Sequence, residues 1–220
     1  PVAVPFPRNK KIVRVINSYG VTYFLTDNGE LFACGEDRYY GGYNLSSYGT
    51  GHALTPVNLS EITDLAGEVI VDVITDYSDT LETISTSTMA ITDTGKVYVW
   101  GNNSNGLLGL GHNTVVTNPE LLYWTEFIPI QKGYLFNVPQ GTFIGGASYL
   151  IDTTGKMYVA GDDDASLFNA ADISTHKLLN PWGSSKRVKA VRVNSTRSFN
   201  TAFSIWASNR RTVMLIIEDT

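Results

Sequence analysis

Few residues of this 220-residue chain could do chemistry: three histidines, one cysteine, a run of aspartates and a tyrosine-rich loop. His52, His112 and His176 stand four to seven residues before Pro56, Pro119 and Pro181, at intervals of about 60 residues. A zinc site would need its ligands within ~2 Å of one metal. Equivalent places on successive packed sheets lie ~10 Å apart, so solvated or loop-stabilising histidines are expected and no metal centre. Asp162, Asp163 and Asp164 are a candidate cation site. The calcium loop with acids at alternate positions and a distal Glu is absent, so a solvated turn competes with that reading. Asp76, Asp79 and Glu82 offer carboxylates for glycoside hydrolysis, but that chemistry needs two of them across a cleft and nothing in the sequence pairs them. No residue is assigned a catalytic role, no cofactor is implied, and the chain is read as a non-enzyme. The loop with Tyr39, Tyr40, Tyr43 and Tyr48 has the composition of a binding surface, where tyrosine brings contact area at low entropic cost. Packing of those rings over a sheet edge is the competing reading.

The elements that position these residues come from a repeat. Tyr23-Phe-Leu-Thr-Asp-Asn-Gly29-Glu-Leu-Phe-Ala-Cys-Gly35 recurs as Met89-Ala-Ile-Thr-Asp-Thr-Gly95-Lys-Val-Tyr-Val-Trp-Gly101 and as Tyr149-Leu-Ile-Asp-Thr-Thr-Gly155-Lys-Met-Tyr-Val-Ala-Gly161. Each copy is a strand, a tight turn ending in Gly, a second strand and another Gly. A glycine in the turn supplies the positive φ that a short hairpin needs. The third copy carries its turn acid one residue early, at Asp152. Alternating apolar starts precede the hairpins at Ile12–Val15, Val69–Val73, Phe127–Ile130 and Val188–Val193, the signature of half-buried strands. Pro129 weakens the third of these. After each hairpin a loop is expected to end at Pro56, Pro119 or Pro181. Ser60–Ala66 reads as one capped helical turn.

The units fall at about 11–60, 68–122, 124–183 and 186–217, after a proline-containing extended lead-in over 1–10. In the last unit, Ala202–Trp206 and Thr212–Ile217 are expected to pair through Ser208–Arg210. Four-stranded units repeated radially make a β-propeller, and the fold class is all-β.

Composition limits the partners. Hydrophobic residues are 43% and charged residues 17%, ordinary for a globular protein. A net charge of −5 gives no reason to expect nucleic acid. Lys186, Arg187, Lys189, Arg192, Arg197, Arg210 and Arg211 gather in a stretch without Asp or Glu, which reads as a solvated strand face or a subunit contact. Cys34 takes the repeat slot of Trp100 and Ala160 and is expected to pack inside. No apolar run approaches the ~20 residues needed to cross a bilayer, so no membrane insertion is expected. The start at Pro1 fits a processed product or a piece of a longer one.

The second copy is the most specific. From Asp93 through Gly95, Trp100, Gly101, Asn102, Gly106, Leu108, Gly109 and Gly111 to Pro119 it resembles the repeat of the regulator of chromosome condensation family. The resemblance implies a propeller of about seven four-stranded blades, whereas about four units fit here, an array either smaller or completed by other segments or chains. Family members work through surface contacts, as exchange factors, chromatin binders and enzyme inhibitors. Divergent, lengthened repeats rich in Asn, Ser, Thr and Tyr point to a virion component, a phage tail fibre or baseplate part serving assembly or host attachment. Its partners would be other copies, virion subunits, or a cell-surface glycan or protein. The alternative is a soluble cytoplasmic protein–protein interaction propeller.

Overall fold

The computed structural model describes residues 6–18, 20–36, 52–79, 84–103, 106–136, 146–161, 173–179, 186–196 and 210–219, the last two segments as backbone only. Tyr39, Tyr40, Tyr43, Tyr48, Asp162, Asp163, Asp164, Pro181 and Ala202–Trp206 lie outside them.

Strong alternation and glycine turns give three four-stranded antiparallel sheets, each a meander. Blade 1 is β1 (Ile12–Ser18), β2 (Val21–Thr26), β3 (Leu31–Glu36) and β4 (His52–Asn58). Blade 2 is β5 (Ile70–Asp79), β6 (Ile84–Thr92), β7 (Val97–Gly101) and β8 (Val116–Leu121). Blade 3 is β9 (Ile130–Phe136), β10 (Ala147–Asp152), β11 (Met157–Gly161) and β12 (Ile173–Leu179). The fourth unit is described as one antiparallel pair, β13 (Lys186–Thr196) with β14 (Arg210–Asp219). These are propeller blades, and among the described residues they do not close a ring. No described helix is long and apolar enough to cross a membrane.

The hairpin glycines do what the sequence asks of them: Gly29, Gly95 and Gly155 have φ of 80°, 84° and 83°. Only glycine takes this conformation without strain. The amide four residues beyond the start of each turn finds a side-chain oxygen, Thr26 for Glu30, Thr92 for Lys96 and Asp152 for Lys156, at 3.0, 3.0 and 2.9 Å. The early acid of the third copy thus fills a slot that threonine fills in the other two.

A further regularity escaped the sequence. The first strand of every unit carries a bulge at the same place: Val13, Val71, Gln131 and Lys189 are each skipped in the pairing with the second strand. A bulge twists a strand and re-aims a side chain, and Val13 and Val71 stand 55% and 52% exposed.

Several sequence expectations shift. β9 starts at Ile130, not Phe127, because Pro129 has no N–H for a ladder. Pro56 and Pro119 do not end loops but lie in the outer strands β4 and β8, inside stretches where the ladder is interrupted, the edge position where proline is tolerated. The helical turn α1 is Leu59–Ile62, set two residues earlier because the Asn58 side chain, not Ser60, accepts the capping bond. Thr212–Ile217 lies in β14 and pairs with β13; its expected partner, Ala202–Trp206, lies outside the described residues.

The core runs through the seams between blades. Tyr23 of blade 1 meets Trp100 of blade 2 edge-to-face at 6.0 Å, with the indole N–H donating to the Tyr23 hydroxyl at 3.1 Å. Both rings have no exposure, and burial raises the Tyr23 pKa. Gly133 of blade 3 lies against Met89, Ile91 and Ile74 of blade 2. Backbone bonds stitch the same seams, Ile70 N–H to Gly29 O and Ile130 N–H to Gly95 O, both at 2.9 Å.

Candidate functional site

The connection from blade 2 to blade 3 is a 3-10 turn, Tyr123–Glu126, held from beneath. Leu122 and Thr125 are buried at 2% and 1%. The Thr125 hydroxyl donates to Leu122 O at 2.6 Å and accepts from Val97 N–H at 3.0 Å. Ser60 performs the same task in blade 1, accepting from Leu31 N–H at 2.9 Å. On the other side, Trp124 packs on Tyr158 and His176 of blade 3, centroids 4.9 and 5.5 Å away. With neighbours pinned inward, Tyr123 and Phe127 project outward, 68% and 71% exposed, their rings edge-to-face at 5.7 Å.

Charge beside this pair is predominantly acidic. Lys96 bonds Glu68 at 2.8 Å, and the Tyr98 hydroxyl donates to the same carboxylate oxygen at 3.1 Å. Burial first, then Glu68, Asp64 and Glu126, push the Tyr98 phenol well above its ordinary range. The Glu68 bond raises Lys96. Glu68 and Glu126 thus both act on Lys96, and Glu126 stands in the turn that carries the aromatic pair.

The histidines divide. His112 is loop-stabilising as expected: its backbone carbonyl accepts from Asn103 Nδ2 at 2.8 Å, and its Nδ1 meets the Thr114 hydroxyl at 2.9 Å. His52 opens β4, and its side chain lies outside the described residues. His176 corrects the expectation of solvated histidines. It sits in the seam between blades 2 and 3, its ring on the spot where a Cβ of Gly109 would fall. The buried Ser148 hydroxyl donates to Leu107 O at 2.5 Å, so its 2.9 Å bond with His176 Nε2 takes the proton from the imidazole. Nδ1 is sealed from solvent without a partner. Burial pushes the His176 pKa down to about 3. Among the described residues no group of His, Cys, Asp or Glu could hold a metal ion.

Cys34 also departs from expectation. Its repeat equivalents Trp100 and Ala160 have no exposure, but Cys34 is only half-buried. Desolvation still raises its thiol pKa. Gly106, Gly109 and Gly111 have φ of 69°, 77° and 87° and shape the loop that meets His176 and Thr175. Gly35, Gly101 and Gly161, with φ of 128°, 101° and 108°, close the second strands. The exposed Tyr123–Phe127 pair carries no motif; only the mismatch between Phe127 and a proline-interrupted strand marked it in the sequence.

A model of the Regulator of chromosome condensation (RCC1) repeat matches residues 85–107, the copy with the strongest sequence pattern. Human WBSCR16 is similar in structure, with a TM-score of 0.56 and 20% identity over 84% of this chain and 43% of that one. Prp20p from Saccharomyces cerevisiae, in a structure reported with its binding properties to Gsp1p and histones, gives 0.41 and 15% over 83% and 54%. Yeast RCC1 (Prp20) bound to Kap60 gives 0.41 and 15% over 83% and 52%. The chain spans about half, or less, of the length of these structures.

Proposed function

We propose that this chain, a set of propeller blades one of which matches the regulator of chromosome condensation (RCC1) repeat over residues 85–107, is a non-enzymatic binding module of a virus particle. In this reading it is a tail-fibre or baseplate part that contacts a protein or glycan of the host surface. The observation that carries the binding role is the exposed Tyr123–Phe127 pair on a connection fixed from both sides. Rigid aromatics that need no ordering on contact dominate binding surfaces. The virion setting is supported by composition: charged residues at 17%, and long divergent repeats rich in Asn, Ser, Thr and Tyr.

The test uses the fluorescently labelled chain on a panel of intact bacterial cells, beside a Y123S/F127S double variant. Both side chains are exposed, so the variant keeps its fold, checked by circular dichroism. Retention of the wild type on at least one strain, reduced at least tenfold in the variant, is expected. Equal retention of both removes the rim pair from the contact. Retention on no strain, together with absence of the chain from purified virions by mass spectrometry, refutes the virion reading.

A further inference from the structure

The Tyr123–Phe127 pair stands on an internal seam. Its turn joins blades 2 and 3, both described, so the exposure of the two rings is not that of an end of the array. The rings meet at an interplanar angle of 70°, a corner and not a flat platform. Between them in the chain stands Glu126, exposed, its carboxylate in no hydrogen bond among the described residues. The surroundings are acidic. Residues 59–69, which lead into blade 2, carry Glu61, Asp64 and Glu68, and residues 116–129 carry Glu120 and Glu126; neither stretch holds a Lys or Arg. The two stretches meet at the start of β7. Glu68 bonds both Lys96 and the Tyr98 hydroxyl, and Glu126 acts on both of those groups. Tyr98 in turn pairs with Leu121, two residues before Tyr123. Asp64, Glu68 and Glu126 all act on the Tyr98 phenol, and Lys96, bonded to Glu68, offsets one of these charges.

We infer that this corner takes an arginine side chain of a partner protein, its guanidinium lying against the Tyr123 and Phe127 rings with the Glu126 carboxylate as counter-charge. The inference rests on the reading of the rim pair as the contact surface and names the chemistry of what it contacts, a basic protein segment. An aromatic face attracts a cation through its quadrupole. A guanidinium is planar, always charged and weakly hydrated, so it stacks on a ring and bonds a carboxylate at once. Its apolar stem covers the second ring of the corner. The same field argues against other occupants. Surfaces bearing phosphate or sulfate are repelled by the acids, and a neutral sugar gains nothing from them. Two rings 70° apart also offer no common plane on which a sugar ring could lie.

The experiment is an NMR titration of the isotopically labelled 24.1 kDa chain with a pentapeptide carrying one central arginine. A counterpart peptide with citrulline, of the same shape but uncharged, is run beside it. The variants are Y123L/F127L, which keeps the apolar area and removes the rings, and E126Q; all three side chains are exposed, so the fold is retained, as circular dichroism checks. Amide shifts concentrated in residues 122–128 are expected with the arginine peptide. Citrulline and Y123L/F127L should each weaken binding about fivefold, and E126Q about threefold. No shift in that segment, equal binding of the two peptides, or indifference to Y123L/F127L overturns the inference. The cell panel separates this failure from that of the underlying reading. Retention that Y123S/F127S abolishes, but that neither E126Q nor competing arginine amide reduces, overturns the arginine assignment and leaves the rim as the contact. Retention unchanged by Y123S/F127S removes both.

Discussion

Lowering the pH from 7 to 5 should weaken this fold through His176 alone by about 2 kcal/mol. The unfolded imidazole takes up a proton near pH 6.5, while the folded one, buried on Gly109 with Nδ1 sealed, does so only near about 3. Because the folded value is depressed, the unfolded state binds more protons throughout the interval. The contribution is fully present above pH 6.5, falls as the pH drops, and stops changing below about 3. At pH 5 the folded ring is still neutral and the unfolded ring almost wholly charged, which yields the ~2 kcal/mol. The perturbation is His176→Gln, which keeps a polar contact for Ser148 but cannot titrate. Denaturant unfolding of both proteins at pH 7, 6 and 5 gives the stabilities. Carboxylates titrate alike in the two, so the difference between their pH slopes isolates the histidine. Parallel pH dependences, or an NMR titration of His176 with its midpoint near 6.5, would refute the seam as the cause.

Other perturbations probe the same framework. Asp152→Ala should cost ~2–3 kcal/mol, since it strands the amides of Thr154 and Lys156 and the hydroxyls of Thr154 and Tyr158. Asp152→Thr, which imitates the other two hairpins, should recover most of that in the same unfolding measurement. Gly109→Ala should cost at least ~1–2 kcal/mol from its φ of 77° alone, with more from collision with His176; a melting temperature several degrees lower is expected. Trp100→Phe removes the buried N–H donor to Tyr23 and should lower stability by ~1–3 kcal/mol, read by urea unfolding monitored through far-ultraviolet dichroism. Phe6→Ala should expose Phe32 and lose ~1–3 kcal/mol if the lead-in ring holds that face as the centroids indicate.

The hairpins were legible because their glycines answer to a local constraint: a positive φ leaves few alternatives at Gly29, Gly95 and Gly155. Residues governed by what lies across a seam were not. His176 reads as a loop residue in its own repeat, and contacts from far away in sequence, Gly109, Trp124 and Ser148, make it a partly buried seam residue with Nδ1 sealed. Cys34 shows the limit of the repeat itself: its slot is interior in Trp100 and Ala160, yet Cys34 is half-buried. The strand bulges have no residue signature, since Val, Gln and Lys all occupy them. Pro56 and Pro119 read as loop ends because the pattern does not distinguish a loop from an edge strand whose ladder is interrupted.

The backbone stitches at the seams also bear on how such a chain diverges. The bonds from Ile70 to Gly29 and from Ile130 to Gly95 across the seams, and those from Asp27, Asp93 and Thr153 to Lys11, Val69 and Pro129 within each blade, involve main-chain atoms only. Side-chain changes leave these bonds in place, provided the turn glycines stay. Variation is thereby uncoupled from geometry: side chains change while main-chain bonds keep one blade against the next, so a lineage under pressure to change what it touches drifts far in sequence without losing its frame.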